Sequence, residues 1–177
     1  MLRAAMKAGT EVGKKAKSYV DKGDLVPDSV MIELIEDALS RLSSDARVIL
    51  DGFPRTVPQA EALDQKKSTT VNVSIYFNVP ESDLLARLTG RRVCEKCTEP
   101  YHAQTLPPKT EGVCDRCGGR VIQRTDDGAA VVGHRLQVFY KQTQPLLDHY
   151  RKTNRLKELD GNRPIETLQK EIVQLLH

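Results

Sequence analysis

Four cysteines form two CxxC pairs. Cys94 and Cys97 make the first pair and Cys114 and Cys117 make the second, with sixteen residues between the pairs. Each CxxC turn lets two thiolates converge on one ion, and two such turns complete a tetrahedral Cys₄ site. Four thiolates leave no open coordination position, so the spacing predicts a structural Zn²⁺. A thioredoxin-like redox pair is the rival interpretation of one CxxC motif, but it predicts one pair and not two.

A carboxylate, a glycine and an arginine follow the short apolar run 47–50. Asp51 and Gly52 come directly after the run, and Arg55 lies three residues further on. Proteins with parallel α/β sheets bind ligands at the carboxyl ends of their strands. Gly52 lets the backbone approach a ligand closely, and the Arg55 guanidinium can bind a phosphate through two hydrogen bonds. Taken alone, this segment is equally compatible with a polar turn that leaves the sheet.

The composition limits the classes of protein. The chain has 177 residues, of which 39% are hydrophobic and 29% charged, with a formal net charge of +3. These values are ordinary for a globular protein and allow one core with a small inserted domain. The charge gives no reason to expect a nucleic-acid partner. No apolar run reaches the ~18 residues of a membrane span and no signal peptide is evident, so we expect a cytoplasmic protein without a membrane partner.

The elements that must position these groups alternate between helix and strand. Residues 1–22 read as a basic helical stretch interrupted at Gly9 and Gly13, and Asp28 is expected to be the N-cap of the next helix. Further helices are expected at 58–65, 81–89, 131–152 (bent near Pro145) and 164–176, with strands at 47–50, 71–79 and 156–159. Strands alternating with helices predict an α/β fold, with a parallel sheet and helices on both faces. The cysteine-containing stretch is an insertion in that sheet.

Seven motifs, in order along the chain, carry a family resemblance. They are 1–5 (MLRAA), 22–28 (KGDLVPD), 50–60 (LDGFPRTVPQA), 90–93 (GRRV), 123–127 (QRTDD), 140–146 (YKQTQPL) and 159–161 (LDG). Together they resemble the adenylate kinase family in its bacterial form, which has a long zinc-binding Cys₄ lid on a P-loop NTPase-like core. The resemblance covers essentially the whole chain and implies the Mg²⁺-dependent reaction ATP + AMP ⇌ 2 ADP, carried out by a monomer.

The resemblance implies an AMP site. Arg3 and Arg55 match the arginines that bind the AMP phosphate, and Gln59 matches the glutamine that bonds the edge of the adenine. The other AMP-binding residues that it implies are Asp24, Leu25, Val26, Gly52, Phe53, Pro54, Arg124 and Arg135. Pro54 is expected to follow a cis peptide bond. The four histidines, His102, His134, His149 and His177, are expected to have no chemical role.

The resemblance also implies an ATP site and the catalytic groups. The ATP-binding residues that it implies are Arg87, Arg91, Pro100, Tyr101 and Arg163. The catalytic residues are Arg55, Arg91, Arg124, Arg135 and Asp51, and Asp51 matches the carboxylate that orients Mg²⁺ through water. The implied division is an AMP-binding segment over 1–27, an α/β core over 28–89 and 128–177, and a zinc-binding lid over 90–127.

The glycine-rich phosphate loop of the family is not found in this sequence. Residues 9–15 (GTEVGKK) resemble it superficially, but the spacing is one residue short, no Ser or Thr follows the lysine, and no strand precedes it. An upstream start or a gene fragment is the favoured explanation, ahead of a deliberately shortened protein and of a short protein without kinase activity. The chain by itself is therefore expected to recognise AMP and to be a weak kinase. A function of another class stays open, namely a non-catalytic zinc-ribbon module that binds nucleotide or nucleic acid.

Overall fold

A computed structural model of the chain describes residues 1–43, 45–65 and 70–176. Within these ranges four helices come first, and short strands and further helices follow. In chain order they are α1 Leu2–Ala8, α2 Glu11–Lys22, α3 Asp28–Ser40, α4 Val57–Gln65, β1 Ser74–Asn78, α5 Glu81–Gly90, β2 Arg91–Cys94, β3 Pro100–His102, β4 Val121–Ile122, a 3₁₀ turn Thr125–Asp127, α6 Ala129–Val138, a π-helix Phe139–Thr143, α7 Gln144–Lys152, β5 Leu156–Asp160 and α8 Ile165–Leu176. Along these ranges, none of the helices is both long and apolar enough to pass through a membrane.

The elements divide between two compact units. The first unit consists of Met1–Val26 and Glu81–Val138, and the second of Pro27–Pro80 and Phe139–His177. The expected helix over 131–152 is found in parts that fall on either side of this division. Its π-helical turns directly precede α7, whose first turn contains Pro145. Proline has no N–H to donate to the preceding turn, which accounts for the irregular helix at this point.

The first unit begins with the packed helices α1 and α2. Helix α1 ends at Gly9, its C-cap, which has a left-handed φ of 67°. The Thr10 side chain then caps α2 by accepting a hydrogen bond from the Gly13 N–H at 3.1 Å. The predicted interruption at Gly13 is wrong, because Gly13 lies inside α2. An added Cβ there would lie 2.1 Å from the Ala5 carbonyl oxygen. Gly13 therefore allows α1 and α2 to pack closely and does not interrupt the helix.

The cysteine-containing stretch of the first unit is a small antiparallel sheet. Its strand order is β3-β2-β4, with Arg92 opposite Tyr101 and Cys94 opposite Val121. Sequence reasoning predicted no strands here. Strands of four, three and two residues are too short to produce a periodic pattern.

The second unit contains a parallel pair of strands. β1 runs beside β5 from Ser74 opposite Leu156 to Asn78 opposite Asp160. One core cluster joins Ile35, Phe53 and Leu63, and another joins Ala60, Leu146 and Tyr150. The predicted α/β class with a parallel sheet is confirmed.

Two predictions in the second unit are wrong. Residues 47–50 are not a strand, and Val48 and Ile49 are 45% and 87% exposed. Within the described ranges no strand pairs with this segment, and an apolar run cannot become a strand without a hydrogen-bonding neighbour. Asp28 is not the N-cap of α3, a position held by Pro27. The Asp28 carboxylate instead accepts hydrogen bonds from the side chains of Thr56 and Gln59.

Candidate functional site

The four cysteines of the first unit converge on one point. All four Sγ atoms lie within 4.8 Å of one another, and all four cysteines are free thiols. Two contacts join the CxxC turns: Cys94 Sγ lies 3.5 Å from Cys117 Sγ, and Cys97 Sγ lies 3.6 Å from Cys114 Sγ. One buried and one half-buried sulfur come from each turn. This donor set fits a tetrahedral, thiolate-ligated metal ion.

Hydrogen bonds from neighbouring groups hold the four sulfurs in this arrangement. The Cys97 N–H donates to Cys94 Sγ at 3.5 Å, and the Tyr101 hydroxyl donates to Cys114 Sγ at 3.4 Å. The Tyr101 hydroxyl, ahead of the backbone amides of Arg116 and Cys117, lowers the pKa of the Cys114 thiol to about 6. At Gly119 an added Cβ would lie 3.0 Å from Cys94 Sγ. The turn therefore requires glycine where its backbone passes the sulfurs.

A pair of buried aspartates organises arginines elsewhere in the first unit. Asp126 and Asp127 lie in the 3₁₀ turn and are 3% and 0% exposed. Arg3 Nη2 donates to Asp126 at 2.6 Å, and Arg91 binds Asp127 through two nitrogens, Nε at 2.8 Å and Nη2. Arg135 Nη1 lies 3.5 Å from Asp126 and 3.6 Å from Asp127. A buried carboxylate is stable only when paired, so these contacts fix both partners.

Arg124 lies in the same cluster and has no acid partner within the described ranges. Burial, followed by repulsion from Arg3 and Arg91, lowers the pKa of its guanidinium, and attraction by Asp127 and Asp126 only partly opposes this. Among the residues that the structure describes, Asp126 and Asp127 are the acids paired with Arg3, Arg91 and Arg135. Four guanidinium groups and two carboxylates leave two positive charges in excess. A cluster of four guanidinium groups, three of them half-buried and Arg3 exposed, with surplus positive charge is suited to bind a multiply charged anion such as phosphate.

Residues 21–26 lie against the same cluster. Thr125 Oγ1 donates to Asp21 at 3.0 Å, and His134 Nε2 on α6 lies 2.6 Å from Asp24 Oδ1. Gly23, with a left-handed φ of 84°, is so close to α6 that an added Cβ would lie 2.7 Å from Arg135 Cγ. Val26 is buried at the end of this segment. The first unit thus contains six of the predicted AMP residues: Arg3, Asp24, Leu25, Val26, Arg124 and Arg135.

The other predicted AMP residues form a turn in the second unit. The Phe53–Pro54 peptide bond is cis, as predicted, and Arg55 Nε donates to the Gly52 carbonyl at 2.8 Å. Gln59 is 2% exposed, and both ends of its amide have partners. Its oxygen accepts from the Arg55 N–H at 2.8 Å, and its nitrogen donates to Asp28 at 2.7 Å. These bonds fix the turn that carries Arg55, and the adenine contact of Gln59 stays a prediction.

The predicted ATP and magnesium residues are divided between the units. Arg87, on α5, and Pro100 are exposed in the first unit, where Tyr101 is buried beside the cysteines. Asp51 is exposed in the second unit, where Arg163 forms an ion pair with Glu171. The structure assigns the Tyr101 hydroxyl to the cysteine cluster, which the sequence did not indicate.

The chain matches known proteins over most of its length. The family model described as adenylate kinase matches residues 1–155. An adenylate kinase of Carboxydothermus hydrogenoformans is 50% identical over 169 residues, which is 94% of this chain and 79% of the relative. Adenylate kinases of Desulfitobacterium hafniense and Staphylococcus aureus are 46% and 44% identical over 179 aligned residues, which is 99% of this chain and 82% and 83% of those relatives.

The chain belongs to the adenylate kinase family. Adenylate kinases are nucleoside monophosphate kinases whose substrates are ATP, AMP and ADP, and Mg²⁺ accompanies ATP in their reaction. The family match extends well beyond the cysteine-containing stretch in both directions. It therefore replaces the alternative of a non-catalytic zinc-ribbon module.

Sequence reasoning missed the acidic partners of the adenylate kinase arginines. The motif 123–127 contains Asp126 and Asp127, but the sequence indicated no role for them, and Asp28 was expected to be a helix cap. Two adjacent aspartates beside an arginine were the available signal, but only their burial shows that they are partners and not surface charges. His134 and His149, expected to have no role, contact Asp24 and Asp64. His177 lies outside the described residues. Residues 9–15 form a helix cap and the start of α2, which agrees with rejecting them as a phosphate loop.

Proposed function

We propose that Arg3, Arg91, Arg124 and Arg135 form the anion site at which this adenylate kinase binds the phosphates of its nucleotides. The observation that carries the proposal is Arg124, a half-buried guanidinium without an acid partner among the described residues, beside three arginines that share two buried aspartates. A transferring phosphoryl group carries spread negative charge, so its catalysis depends on positioning and on cationic stabilisation. The cluster supplies that cationic environment.

The two aspartates keep the cluster ready for its ligand. Asp126 orients Arg3, and Asp127 orients Arg91 through both of its carboxylate oxygens. Guanidinium groups held before the substrate arrives need little reorganisation when negative charge develops. Under this proposal Arg3 binds the AMP phosphate, Arg91 binds the phosphates of ATP, and Arg124 and Arg135 stabilise the phosphoryl group in transit.

The remaining predicted residues complete the proposal. Asp24–Val26 hold adenine through their backbone, and in the second unit Gly52–Arg55 and Gln59 belong to the AMP site. Arg87, Pro100, Tyr101 and Arg163 contact ATP, and Asp51 orients Mg²⁺ through water. The functional division into an AMP-binding segment over 1–27, a lid over 90–127 and a core formed by the rest belongs to the same proposal. A monomeric state, a cytoplasmic location and the absence of a nucleic-acid partner stay predictions.

We further propose that the metal of the cysteine cluster is Zn²⁺ with a structural role. Support comes from the four sulfurs within 4.8 Å of one another and from the preference of Zn²⁺ for tetrahedral thiolate sites. When bound, the ion ties the two CxxC turns together. Four protein ligands leave no position for a substrate or a reactive water.

The test of the anion site is Arg124→Ala. A hydrogen bond to a charged group is worth about 1.5–3 kcal/mol, so we expect the Kd for AMP, measured by titration calorimetry, to rise about 10- to 100-fold. Formation of ADP from ATP and AMP should fall in parallel. The melting temperature should stay constant or rise, because the substitution removes a charge that Arg3 and Arg91 repel.

Arg41→Ala is the matched control. The Arg41 side chain is 73% exposed and pairs with Asp37 at the C-terminal end of α3, so its removal should leave AMP binding unchanged. An Arg124→Ala variant that binds AMP as tightly as the wild-type protein would contradict the proposal. A variant that loses both AMP binding and thermal stability would show that Arg124 is a structural residue.

A further inference from the structure

The side chain of Tyr101 is enclosed in the cysteine cluster. Tyr101 is 7% exposed, and its hydroxyl donates to Cys114 Sγ at 3.4 Å. The same hydroxyl accepts a hydrogen bond from the Asp115 N–H at 2.8 Å. Both contacts therefore fall on the second CxxC turn, one on a metal-ligating sulfur and one on the backbone directly after it.

The two contacts fix the direction of the hydroxyl hydrogen. A phenol has one hydrogen to donate and lone pairs that accept. The Asp115 N–H occupies the accepting side, and the hydrogen is directed at the Cys114 sulfur. Cys114 is 2% exposed, so bulk water has little access to replace this donor. The hydroxyl is thus a built-in donor to a buried thiolate.

We propose that Tyr101 is a positioning residue of the metal centre, whose hydroxyl holds the Cys114 thiolate in its ligating orientation and slows the loss of the ion. The inference rests on the proposed metal at the four cysteines. A Cys₄ site carries two negative charges in excess of a divalent ion, and hydrogen bonds to the sulfurs spread that charge. Cys94 receives such a bond from the backbone N–H of Cys97, and Cys114 receives one from the Tyr101 side chain in addition to its backbone donors.

The same bond links the metal centre to strand β3. Tyr101 is the middle residue of β3 and lies opposite Arg92 of β2. Its backbone therefore belongs to the sheet while its side chain reaches across to the second CxxC turn. The hydroxyl is committed to these two contacts and is therefore not available to bind ATP.

The test uses Tyr101→Phe in the full chain loaded with Zn²⁺. Phenylalanine keeps the ring and removes only the hydroxyl. Partners of metal ligands are typically worth 10- to 100-fold in metal affinity, so we expect Zn²⁺ release to a chromogenic chelator to be about 10- to 100-fold faster than in the wild-type protein. Tyr19→Phe is the matched control, because Tyr19 lies on α2 and is 38% exposed.

Co²⁺ substitution gives a second readout that a packing role alone would not move. A hydrogen bond lowers the energy of the sulfur donor orbitals. Its loss in Tyr101→Phe should therefore shift the sulfur-to-cobalt charge-transfer absorption to lower energy, while Tyr19→Phe leaves the spectrum unchanged. Faster release together with this shift supports the inference.

The possible results distinguish the proposed role of Tyr101 from the proposed metal centre. A wild-type protein that binds one ion through four thiolates, with release and spectrum unchanged in Tyr101→Phe, overturns the role of Tyr101 alone. Faster release without a spectral shift also overturns it, since the hydroxyl would then act through packing. A wild-type protein that binds neither Zn²⁺ nor Co²⁺ overturns the metal centre, and this inference with it.

Discussion

Asp127 shows at the scale of single residues how the arginine cluster is held. Its side chain is fully buried and binds Arg91, whose own side chain is 29% exposed. Removing a carboxylate from water is costly unless charged hydrogen bonds replace the lost hydration. Arg91 provides two such bonds. Burying the Asp127 carboxylate is therefore unfavourable by itself, but the same carboxylate holds Arg91 in one orientation.

Asp127→Asn tests this pairing. The amide cannot accept at both positions and carries no charge, so we expect the free energy of unfolding to fall by about 1.5–3 kcal/mol in urea denaturation. Asp37→Asn is the control, since Asp37 and the C-cap residue Arg41 form an exposed pair at the end of α3, with 57% and 73% of their side chains accessible. It should change stability by less than about 0.5 kcal/mol. Equal losses in the two variants would contradict the importance of burial.

At the scale of elements, the packing of α1 against α2 depends on Gly13. The atoms nearest to an added Cβ are all backbone: the Ala5 carbonyl oxygen at 2.1 Å, the Ala5 carbonyl carbon at 2.4 Å and the Met6 nitrogen at 2.6 Å. Backbone cannot rotate away as a side chain can. The two helices must therefore separate if a methyl group is added.

Gly13→Ala and Gly133→Ala should have effects of opposite sign. For Gly13→Ala we expect a loss of about 1–3 kcal/mol in the free energy of unfolding, the usual cost of overpacking. Gly133 lies inside α6 with nothing within 4 Å of an added Cβ, so Gly133→Ala should gain about 0.5–1 kcal/mol from helix propensity. Thermal melts followed by circular dichroism would measure both. A destabilising Gly133→Ala would show that the packing argument is incomplete.

In the second unit, Asp64 ties α4 to α7 and to the start of β5. Arg155 donates to its two oxygens at 2.6 Å each, and His149 Nε2 lies at 3.2 Å. The Arg155 hydrogen bonds are the main cause that lowers the pKa of Asp64 below 3.8, against the opposing effect of burial. A lowered native pKa means that the charged form stabilises the fold at neutral pH. That contribution is lost as the pH falls through the lowered value.

Asp64→Asn should therefore destabilise the protein in a pH-dependent way. We expect a loss of about 1.5–3 kcal/mol at pH 7, from the loss of charged hydrogen bonds, and a shrinking difference from wild type below about pH 4. Urea unfolding at a series of pH values measures this. Asp148→Asn removes an exposed partner of Arg151 and should have a small effect at every pH. A difference for Asp64→Asn that does not change with pH would contradict the ionic origin.

At the scale of the whole molecule, metal dependence should be confined to one unit. The four cysteines lie in the first unit, and the apolar core clusters of the second unit contain none of them. The cysteine stretch has a cluster of only Cys94, Tyr101 and Cys114 at its centre, with Val121 beside it. Such a small core gains much of its stability from a bound ion.

Metal removal should therefore have a local signature. We expect a chelator, or the substitution Cys114→Ser, to lower the melting temperature and to abolish hydrogen-exchange protection in β2 and β4. Protection in α3, α4 and α7 should persist. The melting temperature of Cys114→Ser should no longer respond to chelator, which serves as the internal control. Loss of protection throughout the second unit would contradict a locally acting metal.

The features that the sequence determined by itself depend on local spacing or on one periodic face. Two CxxC turns bring their own thiols together, because each turn is a local structure, and the motif order was enough to indicate the adenylate kinase family. Helices α4, α5 and α8 and strand β5 were predicted within a few residues for the same reason, since each has a pattern of its own or a clear boundary residue.

Other features could not be predicted from the sequence, because they depend on partners that are distant along the chain. Residues 47–50 have the composition of a strand, but no strand pairs with them within the described ranges, and strand formation depends on a neighbour. Asp127 binds an arginine 36 residues away, and the Tyr101 hydroxyl reaches a sulfur 13 residues away. Burial and pairing of this kind belong to the folded chain. The type of a residue determines what its side chain can bind, and the fold determines which partner is within reach.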